Sequence, residues 1–133
     1  MLRVFESFAG IGTQRMGLER ASIDHEVVGI CEIDKFAINS YQAIHGETKN
    51  YGDISKIDTK DLPDFDLFTY SRPCQDLSMA GKQKGFEKGS GTRSSLLWEC
   101  ERIIEVKRPK YLLMENVKAL TFKKNKGGVS EMA

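Results

Sequence analysis

The chain is poor in cysteine and has no paired arrangement of it. Its three thiols, Cys31, Cys74 and Cys100, lie far apart without CxxC spacing. That excludes a disulfide framework and a zinc ribbon, and no metal site is expected. An excess of charge is also missing. The net charge is +1, so the chain as a whole lacks the strongly basic footprint of a nucleic-acid-binding domain, and any such contact must come from a local patch. No apolar run approaches the roughly 20 residues of a membrane span. The opening Met1-Leu-Arg-Val-Phe-Glu6 is punctuated by charge and lacks the apolar core of a signal peptide. Repeats are absent too. These absences predict a protein without a membrane partner, working in the cytoplasm.

What is present describes a globular domain. With 133 residues, 40% apolar and 29% charged, the chain forms a single domain that buries roughly two-thirds of its unfolded surface. Strand and helix patterns alternate along it. Leu2–Phe5 reads as a strand, Ser7–Gly12 as a glycine-containing turn, and Thr13 as the cap of a helix to about Ala21 that packs through Met16 and Leu18. Glu26–Cys31 is a second strand. A helix over Lys35–Ile44 sets Phe36, Ala37, Ser40, Tyr41 and Ile44 near one face. Tyr51–Ile54 is a short strand edge or a turn, and Asp66–Ser71 a buried strand. Leu96, Leu97, Cys100, Ile103 and Ile104 mark the buried face of a helix that Pro109 ends before a last buried strand at Tyr111–Met114. Such alternation predicts a mostly parallel, doubly wound α/β sheet. Cys31 and Cys100, in apolar surroundings, read as small buried hydrophobes.

Two motifs follow directly on predicted strands: Pro73-Cys74-Gln75 and Glu115-Asn116-Val117. Open α/β sheets bind ligands at the carboxyl ends of their strands, so a thiol and a carboxylate placed there can face one cleft. Between the two runs a long segment, 72–93, carries glycines at 81, 85, 89 and 91 and several basic residues, with no strand pattern. Loops of that length in compact domains are functional or disordered. Near the amino end, Phe8-Ala-Gly-Ile-Gly12 sets two glycines at a helix start, where backbone can approach a ligand closely. Arg15 stands where a GxGxxG dinucleotide fingerprint has its third glycine, which weakens a nicotinamide reading. Glu32, at the end of the second strand, suits a carboxylate accepting from ribose hydroxyls, and Asp53 one accepting from an adenine amino group. Taken singly, each acid is equally well a solvated side chain.

In this order the motifs resemble those of the C5-cytosine DNA methyltransferases, which use S-adenosyl-L-methionine, and the resemblance runs from about Arg3 to about Phe122. Phe8-Ala-Gly-Ile-Gly12 is similar to the family's FxGxG cofactor motif, Glu32-Ile33 to the ribose acid and the apolar residue packed on adenine, and Gly52-Asp53-Ile54 to the segment at the adenine amino group. Pro73-Cys74-Gln75 resembles the nucleophile motif and Glu115-Asn116-Val117 the ENV motif. Ser95-Leu-Leu-Trp-Glu99 with Arg102-Ile103 resembles the helix between them, whose leading leucine lies against the cofactor.

The resemblance implies a Rossmann-like methyltransferase fold. It places Cys74 and Glu115 as catalytic residues, and Phe8, Gly10, Ile11, Gly12, Thr13, Glu32, Ile33, Asp53, Ile54, Ser71, Pro73 and Leu96 around the cofactor. Gln75, Ser78, Lys82 and Arg93, with Lys84 and Lys88, are candidates for contact with a duplex from which the target cytosine is flipped.

Cytosine chemistry explains these residue types. Carbon 5 is too weak a nucleophile to take a methyl group directly. A Cys74 thiolate adding at carbon 6 makes the ring an enamine, and Glu115 holding ring nitrogen 3 stabilises that adduct. The sequence departs from the family pattern at Arg72, where a small or apolar residue is usual, and at Ser71, a frequent glycine. The later QxRxR segment, the target recognition domain and the final cofactor-pocket segment are absent. The chain is therefore expected to be an amino-terminal portion, truncated before target recognition. It would be inactive alone, and would act with a carboxyl-terminal partner chain or dimerise through the face left exposed. A tRNA cytosine-5 methyltransferase, a non-catalytic assembly subunit and, last, an NAD-dependent oxidoreductase are the other readings; restriction-modification is the expected setting.

Overall fold

The computed structural model describes residues 1–71 and 96–115. Four strands form one sheet: β1 (Leu2–Ser7), β2 (His25–Cys31), β3 (Leu67–Ser71) and β4 (Tyr111–Glu115), in the order β2-β1-β3-β4. Every neighbouring pair is parallel. Among the described residues three α-helices lie between them: α1 (Thr13–Arg20), α2 (Lys35–His45) and α3 (Leu97–Lys107).

The central strands are apolar on both faces because helices cover both. Successive residues of β1 and β3 divide accordingly. Val4 and Leu67 pack on Leu18 of α1, whereas Phe5 and Phe68 join a cluster with Cys100 and Ile103 of α3. That second layer is aromatic: Phe5 and Phe65 have ring centroids 5.1 Å apart, Phe65 and Phe68 5.7 Å, and Phe68 and Tyr70 5.4 Å. Rings stacked at these spacings bury much area with defined geometry. Cys31 and Cys100 are both buried in this cluster, as the sequence predicts.

The chain runs from β1 outward to β2 and then returns to β3 on the other side of β1. The strand order reverses there, between the carboxyl ends of β1 and β3, and a crevice opens at such a switch point. The structure departs from the sequence reading in three places. Thr13 does not cap α1. Gly12 occupies the cap position in the left-handed conformation (φ 81°) and no side chain caps the helix. On α2 the inward face is Ala37, Ile38, Tyr41 and His45, while Phe36 and Ile44 are 83% and 52% exposed. Polar anchors set this rotation: the Tyr41 hydroxyl donates to buried Glu6 at 2.6 Å, and the His45 ring lies 3.0 Å from the Ile11 carbonyl. Finally, β4 is not buried: Tyr111, Leu112 and Leu113 are about half exposed. Of the two readings of Tyr51–Ile54, the turn is the one observed. Asn50 makes a single bridge to Ile30, after which Asp53 starts a 3-10 turn, Ile54–Lys56.

Candidate functional site

The crevice holds a cavity of about 480 Å³, within the range of small-molecule sites. Phe8 and Gly10 line it from the loop after β1; Cys31, Glu32, Ile33 and Asp34 from the end of β2; Ala37 from α2. Gly52, Asp53 and Ile54 form the opposite wall, with Ser71 at the end of β3 and Leu96 just before α3. Eight of the residues predicted for the cofactor therefore meet here: Phe8, Gly10, Glu32, Ile33, Asp53, Ile54, Ser71 and Leu96.

Ile11, Gly12 and Thr13 do not line it; they turn towards α2 and α1. A Cβ on Gly12 would lie 2.4 Å from His45 Nε2 and 2.8 Å from the Tyr41 ring, so this glycine admits the α2 side chains. Gly10 differs. Its φ is also positive, at 56°, but a Cβ there would meet nothing within 4 Å, and Gly10 lines the cavity. The two glycines of one motif thus serve packing and access separately.

Glu32 organises the near wall. One carboxylate oxygen accepts from the Gly10 amide at 2.8 Å, and the other from the amides of Ile33 and Asp34 at 2.9 and 3.0 Å. These bonds use three of the roughly four acceptor positions of a carboxylate. The Asn50 side chain, which sequence reasoning missed, holds the Glu32 backbone and also accepts from the Gly52 amide at 2.9 Å. Nothing local in the sequence marks it.

Across the cavity, Asp53 Oδ1 accepts from the amide and hydroxyl of Ser55, at 2.9 and 2.7 Å. Those bonds hold its carboxyl below the usual carboxylate value, and no described residue donates to Oδ2. Cys31 is a cavity-lining thiol that burial pushes up to about 12, so it stays protonated and unreactive at neutral pH.

Three carboxylates, Glu32, Asp34 and Asp53, line the cavity, and no described lysine or arginine does. Ile33, 61% exposed, and buried Ile54 supply apolar surface beside them. This set suits a neutral or cationic ligand whose ends carry hydrogen-bond donors, with a flat apolar part between. It does not suit a pyrophosphate: the Gly10 amide that would greet a phosphate at the start of α1 is already bonded to Glu32.

Glu115 ends β4 in register with Ser71, and so lies one strand away from a cavity-lining residue. Pro73, Cys74, Gln75, Ser78, Lys82 and Arg93 lie outside the described residues, as does the 72–93 segment. Among the described residues no group of three or more His, Cys, Asp and Glu side chains could hold a metal ion, and no helix is long and apolar enough to cross a membrane.

The family model of C-5 cytosine-specific DNA methylases matches residues 2–133. The chain belongs to that family. Among curated relatives, the Type II methyltransferase M2.ScrFI of Lactococcus lactis subsp. cremoris is 45% identical over 95% of this chain and 50% of its own length. The orphan methyltransferase M.Rho11sI of Bacillus phage rho11s is 47% identical over 90% of this chain and 24% of its own length. Of solved structures, Schizosaccharomyces pombe Dnmt2 methyltransferase superposes with a TM-score of 0.75 at 29% identity, over 99% of this chain and 40% of that one. This methylase chain therefore spans half or less of the length of these relatives. Its parallel sheet is the Rossmann-like sheet expected for S-adenosylmethionine-dependent enzymes.

Proposed function

We propose that this chain builds the S-adenosyl-L-methionine pocket and carries the nucleophile of a DNA (cytosine-5-)-methyltransferase. The observation that carries the reading is the acidic, phosphate-averse cavity at the sheet's switch point. Its residues fit an adenosine-linked sulfonium: carboxylates face hydroxyl and amino donors, apolar walls take the base, and net negative charge complements a cation. Glu32 accepts from the ribose, Asp53 Oδ2 from the adenine amino group, and Ile33 and Ile54 flank the ring. The bound cofactor supplies the methyl group.

The chain's own chemistry comes from Cys74 and Glu115. Cys74 follows Ser71 by three residues in the sequence, next to the strand end that lines the cavity. Its thiolate adds to carbon 6 of a cytosine flipped from duplex DNA, while Glu115 binds ring nitrogen 3 and shares a proton with it. After methylation, loss of the carbon-5 proton expels the cysteine. Gln75, Ser78, Lys82 and Arg93 face the DNA around the flipped base. The cytoplasm is the compartment this reading assigns.

A carboxyl-terminal portion, in the same polypeptide or as a partner chain, supplies target recognition. Strand β4, at the edge of the sheet among the described residues and with Tyr111, Leu112 and Leu113 about half exposed, supports an added layer there, whether from that portion or from a second copy.

Calorimetric titration of the chain with S-adenosylhomocysteine, with NAD as control, tests the pocket. Binding to the first alone is expected; binding to NAD, or to neither, overturns the reading. Transfer of labelled methyl groups to duplex DNA and to tRNA, in the presence of a carboxyl-terminal portion, then decides the substrate.

A further inference from the structure

The far wall of the cavity rests on very little secondary structure. Ile54–Lys56 is a single 3-10 turn, a form with poorer hydrogen-bond geometry than an α-helix. Its amino end is satisfied by Asp53. Two of its carbonyls, that of Ile54 at its start and that of the C-cap Ile57, are held by one side chain of α3. Arg102 Nη2 donates to the Ile54 carbonyl at 3.1 Å and Nη1 to the Ile57 carbonyl at 3.0 Å. The third corner of the same guanidinium, Nε, donates to Glu99 Oε2 at 2.9 Å, one turn back on α3. All three edges of the fork are used, a geometry that a lysine ammonium cannot copy. Sequence separation makes the point sharper: Arg102 lies 45 and 48 residues from the carbonyls it holds. The backbone bond from the Ile57 amide to the Ile54 carbonyl is long, at 3.4 Å, while that from Lys56 to the Asp53 carbonyl is 3.0 Å.

We infer that Arg102 is a positioning residue for purine recognition: it fixes Asp53–Ile57 against α3, and so fixes where the Asp53 carboxylate meets the exocyclic group of the base. The inference rests on the adenosine reading of the cavity and extends it to the origin of its base specificity. With the turn held, Asp53 Oδ2 accepts from a 6-amino group and repels a 6-oxo group. With the turn free, Asp53 can swing away and the two bases become alike.

The test compares wild type with Arg102→Met, which keeps most of the side-chain bulk, and Arg102→Lys, which keeps the charge. Affinities for S-adenosylhomocysteine and for its 6-oxo analogue S-inosylhomocysteine are measured, together with amide hydrogen exchange at Ser55, Lys56 and Ile57. Wild type is expected to prefer the adenine ligand by about tenfold or more. Arg102→Met should bring that ratio towards one and speed exchange at the three amides by about tenfold, with Val4–Ser7 unchanged; Arg102→Lys should fall between. A merely structural role lowers stability but leaves the ratio intact. Unchanged ratios, or unchanged exchange at the turn in a folded variant, overturn the inference, and Arg102→Lys decides it if Arg102→Met does not fold. If wild type binds neither ligand, the adenosine reading falls and base positioning with it, while exchange in the variant separately reports whether Arg102 anchors the turn.

Discussion

Asn50 and Glu32 face each other as one amide pairs with another. The Asn50 side-chain oxygen accepts from the Glu32 amide at 3.1 Å, and its nitrogen donates to the Glu32 carbonyl at 2.9 Å. Because the same oxygen also takes the Gly52 amide, one side chain ties the strand end bearing Glu32 to the turn leading to Asp53. The spacing of Glu32 and Asp53, the two acids proposed to read opposite ends of a nucleoside, is set there. Asn50→Asp keeps both acceptor bonds, loses the donor and sets a charge against the Glu32 carbonyl. It should cost about 1–3 kcal/mol of stability and weaken S-adenosylhomocysteine binding, whereas Asn50→Leu should lose more of both. Urea unfolding and calorimetry check this; an Asn50→Leu variant that binds as wild type refutes it.

The division of labour between Gly10 and Gly12 predicts opposite phenotypes for the same substitution. Gly12→Ala drives a methyl group into His45 and Tyr41 at a left-handed backbone position, and should cost more than about 2 kcal/mol of folding stability. Gly10→Ala meets no neighbour and pays only for its backbone conformation, about 1 kcal/mol. Because Gly10 lines the cavity, ligand affinity should fall while the fold persists. Thermal melts and titrations of the two variants separate the cases.

Glu6 lies wholly buried on β1, and burial holds its carboxyl above the usual carboxylate value, opposed in part by the Tyr41 hydroxyl, Arg15 and His45. In acid, below the unfolded-state value, the group is neutral in both states and folding carries no charge penalty. As pH rises past that value the unfolded chain ionises first, so stability falls until the folded-state value is passed and then levels. Glu6→Gln preserves an acceptor for Tyr41 and should remove this slope, making the variant at least as stable as wild type at neutral pH. Unfolding free energies measured between about pH 4 and about pH 8 check the sign; a steeper fall in the variant contradicts it.

Thiol chemistry should single out one cysteine of three. Cys31 and Cys100 are buried, and Cys31 is held protonated. A thiol reagent applied to the native chain should therefore modify Cys74 fast and the others only on unfolding. Cys74→Ser should remove the fast phase, leave S-adenosylhomocysteine binding nearly intact, and abolish methyl transfer when a carboxyl-terminal portion restores activity. Peptide mapping of the modified chain identifies the site, and surviving turnover in that variant would exclude the covalent route.

The amino-acid sequence by itself determined the order of elements and the ends of the sheet strands. Apolar runs, turn chemistry and motif spacing are local properties of neighbouring residues, and the strands at Leu2, Glu26, Asp66 and Tyr111 were legible from them to within a residue or two. It also marked Glu32 and Asp53, because their place at element ends follows from that order, while Leu96 was marked by the family resemblance. Only the tertiary structure decided which face α2 turns inward, since Glu6 and Tyr41 stand 35 residues apart and their bond outweighs the apolar pull of Phe36 and Ile44. It decided that Gly12 serves packing and Gly10 the cavity, because that depends on where His45 comes to rest. It brought Asn50 and Arg102 to the site as well. The Glu32 backbone and the Ile54 and Ile57 carbonyls that these two side chains hold lie far away in sequence, so neither the motif that contains Arg102 nor anything local at Asn50 announces those bonds until the chain has folded.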